Sequence, residues 1–353
     1  MRRVPIVIAY LSVGLLAWDL FPLHAQTSVS VGGLTSISGI RVGHHTLEGR
    51  PTGCTVVLTE SGAVATVDVR GAAPGTREIA LLNPVNSIQR IHGLVFSGGS
   101  AFGLATADGV MQYLGERKIG HQTRHLNIPI VPAAILYDLA VGDPTIHPTW
   151  ECGYKAAQVA SHEPIQEGSI GVGAGATVGK LGGPDRAMRG GVGTAMLELS
   201  NGIRVAALMA VNSIGNVVDP ETGQPLAGVR TADGSAIADT SYMLTAKALN
   251  TPTGENTTIG VVATNAQLSK SELAIVARMA HNGLARAVRP AHTPSDGDTI
   301  FAIATGEIES EVSLLRIGAL AADTTAQAIV RGVRAATSLP DYPSVRSLHG
   351  GAP

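Results

Sequence analysis

Residues Gly254–Asn265 read GENTTIGVVATN, a glycine-marked turn that becomes a run of β-branched residues at an Asn-Thr-Thr triplet. Such side chains suit a half-buried or buried pleated surface, so a strand is predicted to begin at Thr257. Working outward, 269–288 (SKSELAIVARMAHNGLARAV) carries an S-x-x-E capping box at Ser269 and Glu272. Leu273, Val276, Met279 and Ala280 line one helical face. A second strand, DTIFAIATGE, follows at 298–307. If the two strands are neighbours, a strand-helix-strand crossover makes them parallel, with their starting ends on one edge of the sheet. Thr257 opens the first strand, and Asp296 and Asp298 of DGDT lead into the second. The pattern alone therefore brings a threonine hydroxyl and two carboxylates, distant in sequence, to the same edge.

A threonine hydroxyl needs a base before it can attack a carbonyl. Cleavage of the Asn256-Thr257 bond would expose an α-amine on Thr257, with an ordinary pKa of about 7.7 to 8.0, and so place nucleophile and base on one residue. The cut itself could proceed by attack of the Thr257 hydroxyl on the Asn256 carbonyl. Two other uses of the triplet compete: Asn-Thr-Thr satisfies the N-glycosylation sequon, and Asn before Thr is a common passage from turn to strand.

Upstream, 35–71 alternates short β-rich runs with glycine turns, as an antiparallel sheet would. Residues 92–114 read as a buried strand, a Gly-Gly-Ser turn and a helix capped by Ser100. NIPIVPAAILYDL, 127–139, reads as another strand, and 149–162 as another helix. The glycine-dense stretch 168–220 becomes strand-like in its second half. Residues 220–255, rich in Gly, Pro, Thr and Asp, suggest a surface excursion or processing linker. A last helix is expected within 313–338.

Arg2 and Arg3 precede the apolar run Val4–Trp18, which ends near Pro-Leu-His-Ala at 22–25. This is a secretory signal pattern with Leu23 and Ala25 ahead of the cut, and the run is short of the about 20 residues of a membrane span. The chain is thus expected to be exported, periplasmic or secreted, and to be free of the membrane once 1–25 is removed. With 44% hydrophobic but only 3% aromatic residues, and 43 glycines, its core must be aliphatic and its turns tight, which suits an α/β or layered α+β enzyme. A net charge of −2 without a basic stripe argues against nucleic acid and for a small-molecule ligand. Cys54 and Cys152 form neither a CxxC nor a zinc spacing; they read as two unpaired buried thiols or, in an oxidising compartment, as a pair.

Other motifs lead nowhere. GAGATVGK lacks the phosphate-loop pattern, with Ala174 and Leu181 where Gly and Ser or Thr are required. Phe102 breaks Gly-x-Ser-x-Gly around Ser100. His44 and His45 are adjacent and would face opposite sides of a strand, so no metal site and no cofactor are expected.

Five separated stretches carry a resemblance: 254–268, 279–307, 93–114, 131–139 and 171–180. In that combination the chain, from about Gly39 to about Arg334, resembles the L-aminopeptidase/D-esterase family, which includes self-processing β-peptidyl aminopeptidases and the nylon-oligomer hydrolase. The resemblance implies an α+β fold, a four-layered αββα sandwich like that of N-terminal-nucleophile hydrolases but with a different strand connection. It implies self-cleavage into an α fragment, 26–256, and a β fragment, 257–353, that together form one catalytic domain, and a homo-oligomer of such protomers. Position by position, Asn256-Thr257 matches the cleavage point and Thr257 the nucleophile. Asp296 and Asp298 match the pair that orients it, Asn212 in MAVNSIG an oxyanion-stabilising amide, and Tyr137 and Lys180 further pocket positions. On residue pattern alone Tyr137 could be a tyrosine at a strand end, Lys180 a solvated loop lysine, Asn212 a turn residue and the aspartates loop carboxylates. The described β-aminopeptidases carry serine and a Ser/Glu pair where this chain has Thr257, Asp296 and Asp298, so it resembles the nylon-oligomer hydrolase branch more closely. The expected activity is hydrolysis of peptides, short oligoamides, or amino-acid amides and esters. Alternatives are an endo-acting 6-aminohexanoate oligomer hydrolase and a non-catalytic ligand-binding relative.

Overall fold

A computed structural model of the chain describes residues 32–245, 256–309 and 313–348. The leader expected at 1–25 and the residues 246–255 just before Asn256 lie outside these. Among the described residues no helix is long and apolar enough to cross a membrane.

Nine strands form one hydrogen-bonded sheet: β1 (Arg41–Thr46), β2 (Gly53–Val69), β3 (Thr76–Arg77), β4 (Arg90–Ser97), β5 (Ala133–Ile135), β6 (Gly191–Glu198), β7 (Arg204–Asn212), β8 (Thr257–Ala266) and β9 (Thr299–Ile308). Their order is β6-β7-β8-β9-β2-β4-β5-β3, with β1 also on β2. Four helices cover it: α1 (Thr106–Glu116), α2 (Trp150–Gln158), α3 (Lys270–Ala287) and α4 (Leu314–Ala335).

The long strand β2 turns this sheet into two layers. Its first part, Cys54–Leu58, pairs with β4; the register then shifts, and Val64–Val69 pairs with β9. Alternation along strands sends neighbouring side chains to opposite faces. Val56 and Leu58 join Val110, Leu114 and Ala156 under α1 and α2. Val57, Ala63 and Ala65 instead join Phe96, Ile259 and Phe301 in an inner core between the two halves of the sheet. There Phe96 meets Phe301 edge to face, at 6.0 Å between ring centres. On the other outer face Val262, Ile300 and Ala302 pack with Leu273, Leu284 and Ile329 of α3 and α4. Three cores separate four layers, so the αββα sandwich expected from the resemblance is the fold.

The crossover predicted around Thr257 is present: β8 and β9 are parallel neighbours, with Ile259 opposite Thr299, and α3 joins them. The capping box of α3 is formed, with Ser269 Oγ accepting from Glu272 N–H and the Glu272 carboxylate accepting from Ser269 N–H. Leu273, Val276 and Ala280 are buried, and each large aliphatic side chain so buried adds about 1.5–3 kcal/mol. Helix α4 comes so near β6 that a Cβ on Gly193 would lie 2.2 Å from the Ala328 carbonyl; glycine there permits the contact.

Several sequence expectations need correction. Ser100 does not cap a helix: Gly99 precedes a 3-10 turn, Ser100–Ala105, no side-chain cap bond forms, and α1 begins at Thr106. The strand expected at 127–139 is split, because Pro129 and Pro132 cannot donate to a ladder; Asn127–Ile128 pairs with His121–Gln122, and only Ala133–Ile135 joins the main sheet. Within 220–245 the chain is better anchored than its composition implies. Pro225–Ala227 is a strand, Thr240–Thr245 a short helix, and Ala227 and Val229 are fully buried. The cysteines are not free thiols: Cys54 of β2 and Cys152 of α2 form a disulfide, their Cα atoms 6.2 Å apart.

Candidate active site

Thr257 opens β8 directly opposite Asn212, the last residue of β7. On the other flank the loop into β9 runs alongside as a parallel bridge between Asn256 and Asp296. The Asn256 carbonyl accepts a hydrogen bond from Gly297 N–H at 2.9 Å and another from the Thr257 hydroxyl. A Cβ on Gly297 would lie 2.9 Å from Thr257 Oγ1 and 2.7 Å from the Ala73 carbonyl, so only glycine gives this loop its seat under the hydroxyl. The loop is held from beneath as well: Arg70 N–H and Gly71 N–H donate to the Asp298 carbonyl, and Ala73 N–H to that of Asp296.

The two aspartates differ. Asp298 Oδ1 accepts from Thr258 N–H at 2.8 Å, and its Oδ2 accepts from His292, from the main-chain N–H at 3.0 Å and from ring Nδ1 at 2.9 Å. Asp296 Oδ2 accepts from Thr293 N–H at 2.9 Å, whereas Oδ1 meets no donor among the described residues. Burial, with the neighbouring Asp298 charge added, lifts the Asp296 carboxyl from 3.8 to about 6. The pair thus joins a carboxylate supplied with donors to one that holds its proton nearly to neutrality.

Asn212 is fully buried and its amide orientation is fixed by its neighbours. Oδ1 accepts from Lys180 Nζ at 3.0 Å and Thr177 N–H at 3.0 Å, and Nδ2 donates to the Tyr137 carbonyl at 2.8 Å. One Nδ2 hydrogen is therefore engaged and the second is the one that could meet an oxyanion. Lys180 also donates to the Asn212 carbonyl at 2.8 Å; it is buried rather than a solvated loop lysine. Tyr137 is half-buried and contributes to the site through its carbonyl. With Lys180, Thr177 and Tyr342 it lines a cleft beside the strand end.

All six residues expected from the sequence, Thr257, Asp296, Asp298, Asn212, Lys180 and Tyr137, thus converge on one sheet edge with the Asn256-Thr257 bond at its centre. Three participants escaped sequence reading: Gly297, through its N–H; His292, an isolated histidine whose only signal is its place just before DGDT; and Arg50. The Arg50 guanidinium, fully buried, pairs with Asp138 at 2.8 Å and donates to the carbonyls of Val141 and Ile146. Asp138 also accepts from Thr52 and Gly99 N–H, so this clasp fixes the chain next to Tyr137. Among the described residues no group of three His, Cys, Asp or Glu could hold a metal.

A two-layered sheet between helix pairs, with a hydroxyl, an amide and two carboxylates at one strand edge, defines a layered α+β amide-bond hydrolase. The chain belongs to peptidase family S58, which matches residues 33–344. It is 41% identical to an uncharacterized aminopeptidase of Mycobacterium tuberculosis over 90% of this chain and 98% of that one. It is 29% identical to the 6-aminohexanoate-oligomer endohydrolase of Paenarthrobacter ureafaciens, over 83% of this chain and 80% of that one. Among solved structures, the L-aminopeptidase D-Ala-esterase/amidase of Ochrobactrum anthropi, a variant of the Ntn hydrolase fold, superposes with a TM-score of 0.66 at 19% identity, over 90% of this chain and 93% of that one. A β-aminopeptidase of Burkholderia sp. gives 0.65 at 20% identity, over 88% of each chain. The enzyme is a hydrolase of amide bonds.

Proposed function

We propose that this hydrolase processes itself at Asn256-Thr257 and then uses Thr257 as an N-terminal nucleophile on peptides, short oligoamides or amino-acid amides and esters bearing a free amino end. The observation that carries the reading is the Asn256 carbonyl, held between Gly297 N–H and the Thr257 hydroxyl at a strand end fixed by Asn212 and Asp298. In the first step Thr257 Oγ bonds to the Asn256 carbonyl carbon, the C–N bond breaks, and the hydroxyl proton passes to the departing nitrogen. Gly297 N–H is set to stabilise the oxyanion formed on the way. Water opens the resulting ester, leaving an Asn256 carboxylate, a free Thr257 hydroxyl and a Thr257 amine. In turnover that amine takes the hydroxyl proton as Oγ attacks the substrate amide and passes it to the leaving amine; water then releases the acyl group.

The uncut chain suits a precursor, since Thr257, Asp296 and Asp298 are all buried in it. The disulfide supports the exported location expected from residues 1–25, because such bonds persist in oxidising compartments. Assembly into a homo-oligomer rests on the resemblance alone. Two variants test the reading with a chromogenic aminoacyl amide. Thr257→Ala should stay one folded, uncut chain without turnover. Thr257→Ser should still cut itself and retain reduced activity, as serine lacks the methyl that restricts the rotamer. A Thr257→Ala protein that turns over substrate would remove Thr257 from the chemistry.

A further inference from the structure

We propose that His292 is a positioning residue for the nucleophile: it fixes Asp298, and Asp298 holds the strand end that carries Thr257. This rests on Thr257 being the nucleophile. Both donors of His292, the main-chain N–H at 3.0 Å and ring Nδ1 at 2.9 Å, converge on Asp298 Oδ2. The opposite oxygen accepts Thr258 N–H at 2.8 Å, so one carboxylate bridges the loop and the second residue of β8. Because the carboxylate accepts, Nδ1 is the ring nitrogen that carries the proton.

The backbone is adapted to this arrangement. His292 has φ 56°, a left-handed conformation that a non-glycine residue keeps only when its surroundings impose it. The ring lies edge-on to that of His281 on α3, at 4.8 Å between centres. His281 is fully buried and bonded through Nε2 to the Asp68 carbonyl at 3.0 Å; burial lowers its pKa to about 4, so it stays neutral near neutral pH. The charged and titratable groups around His292 are thus Asp298, with Asp296 beyond it, on the loop; His281 from α3; and Asp68 with Arg70, behind His281, at the end of β2. Of these, Asp298 is the one hydrogen-bonded to the ring, and the ring serves to hold that carboxylate in place.

A histidine that merely filled space would be replaceable by any residue of suitable shape; one that orients Asp298 can be replaced only by a residue that supplies the same donor. Asparagine supplies it: its amide can reach the oxygen that Nδ1 reaches, and it tolerates φ near +56°. The test uses the full-length chain and follows cleavage at Asn256-Thr257 by intact mass over time, beside thermal unfolding. His292→Ala should slow cleavage on the order of 10- to 100-fold, the scale of a slightly misplaced reacting group. His292→Asn should restore most of the rate. If His292→Ala cuts at the wild-type rate, or His292→Asn is as slow as His292→Ala while melting like wild type, the proposal is wrong although Thr257 stands. If the wild-type chain is not cut before Thr257, the nucleophile reading itself fails and takes this proposal with it. Should His292→Ala not fold, the His292→Asn rate decides, since a wild-type rate there supports the donor role and a slow rate at wild-type melting overturns it.

Discussion

Two carboxylates on one turn, Asp296 and Asp298, serve the same strand end with different partners, and pH exposes the role of Asp296. The Asp296 pKa is raised, to about 6 from 3.8, so the folded chain binds that proton more tightly than the unfolded chain does. The stability this provides is complete below about pH 4 and is lost as pH rises through 6. Asp296→Asn, with no proton to release, should therefore be more stable than its parent at pH 7 to 8, by about 1–3 kcal/mol in denaturant unfolding, and match it near pH 4. Comparing both in the uncut Thr257→Ala background keeps covalent state constant. An equal or larger gain at pH 4 would refute the assignment. Asp298 has a different task, and Asp298→Asn should slow both self-cleavage and turnover by about two orders of magnitude, because an amide cannot accept from Thr258 N–H and from both donors of His292 as a carboxylate does.

At the scale of elements, the site is the place where three separate segments end or turn: β7 at Asn212, β8 at Thr257 and the loop into β9 at Asp298. A fourth segment, through Tyr137, is held by the buried Arg50-Asp138 clasp. Asp138→Ala would leave the guanidinium buried without its counter-charge and should destabilise the fold by about 3–5 kcal/mol in denaturant unfolding. A loss under 1 kcal/mol would mean that the clasp is not formed. The β8-α3-β9 crossover could be read from sequence because its signals are local: a capping box, a helical apolar period and two β-branched runs. The clasp could not, since Arg50 sits in a glycine-rich turn and finds Asp138 only through the packing of the chain. The same holds for Lys180, which stands in what looks like a solvated loop until Asn212 receives it, and for His292, whose meaning depends on a left-handed backbone that no residue type announces. Ser100 misled for the opposite reason: a good capping residue stood where a glycine had already set the turn.

For the molecule as a whole, the four-layered arrangement was legible mainly through the family resemblance, since no local pattern says that β2 bends and joins both layers. The pairing of Cys54 with Cys152 was likewise beyond local pattern, because it depends on α2 lying over β2. That bond closes a loop of 98 residues, and removing it with Cys54→Ala and Cys152→Ala together should cost about 2–5 kcal/mol while leaving the edge around Thr257 intact. Unchanged stability would show that the thiols are free in solution. The Asn256-Thr257 bond is the point on which the proposed chemistry turns. Intact mass and terminal sequencing of the purified wild-type protein should find two fragments, the smaller starting Thr-Thr-Ile-Gly at Thr257 and running to the end of the chain. A chain that stays whole through turnover, or a fragment that starts at any other residue, would contradict it.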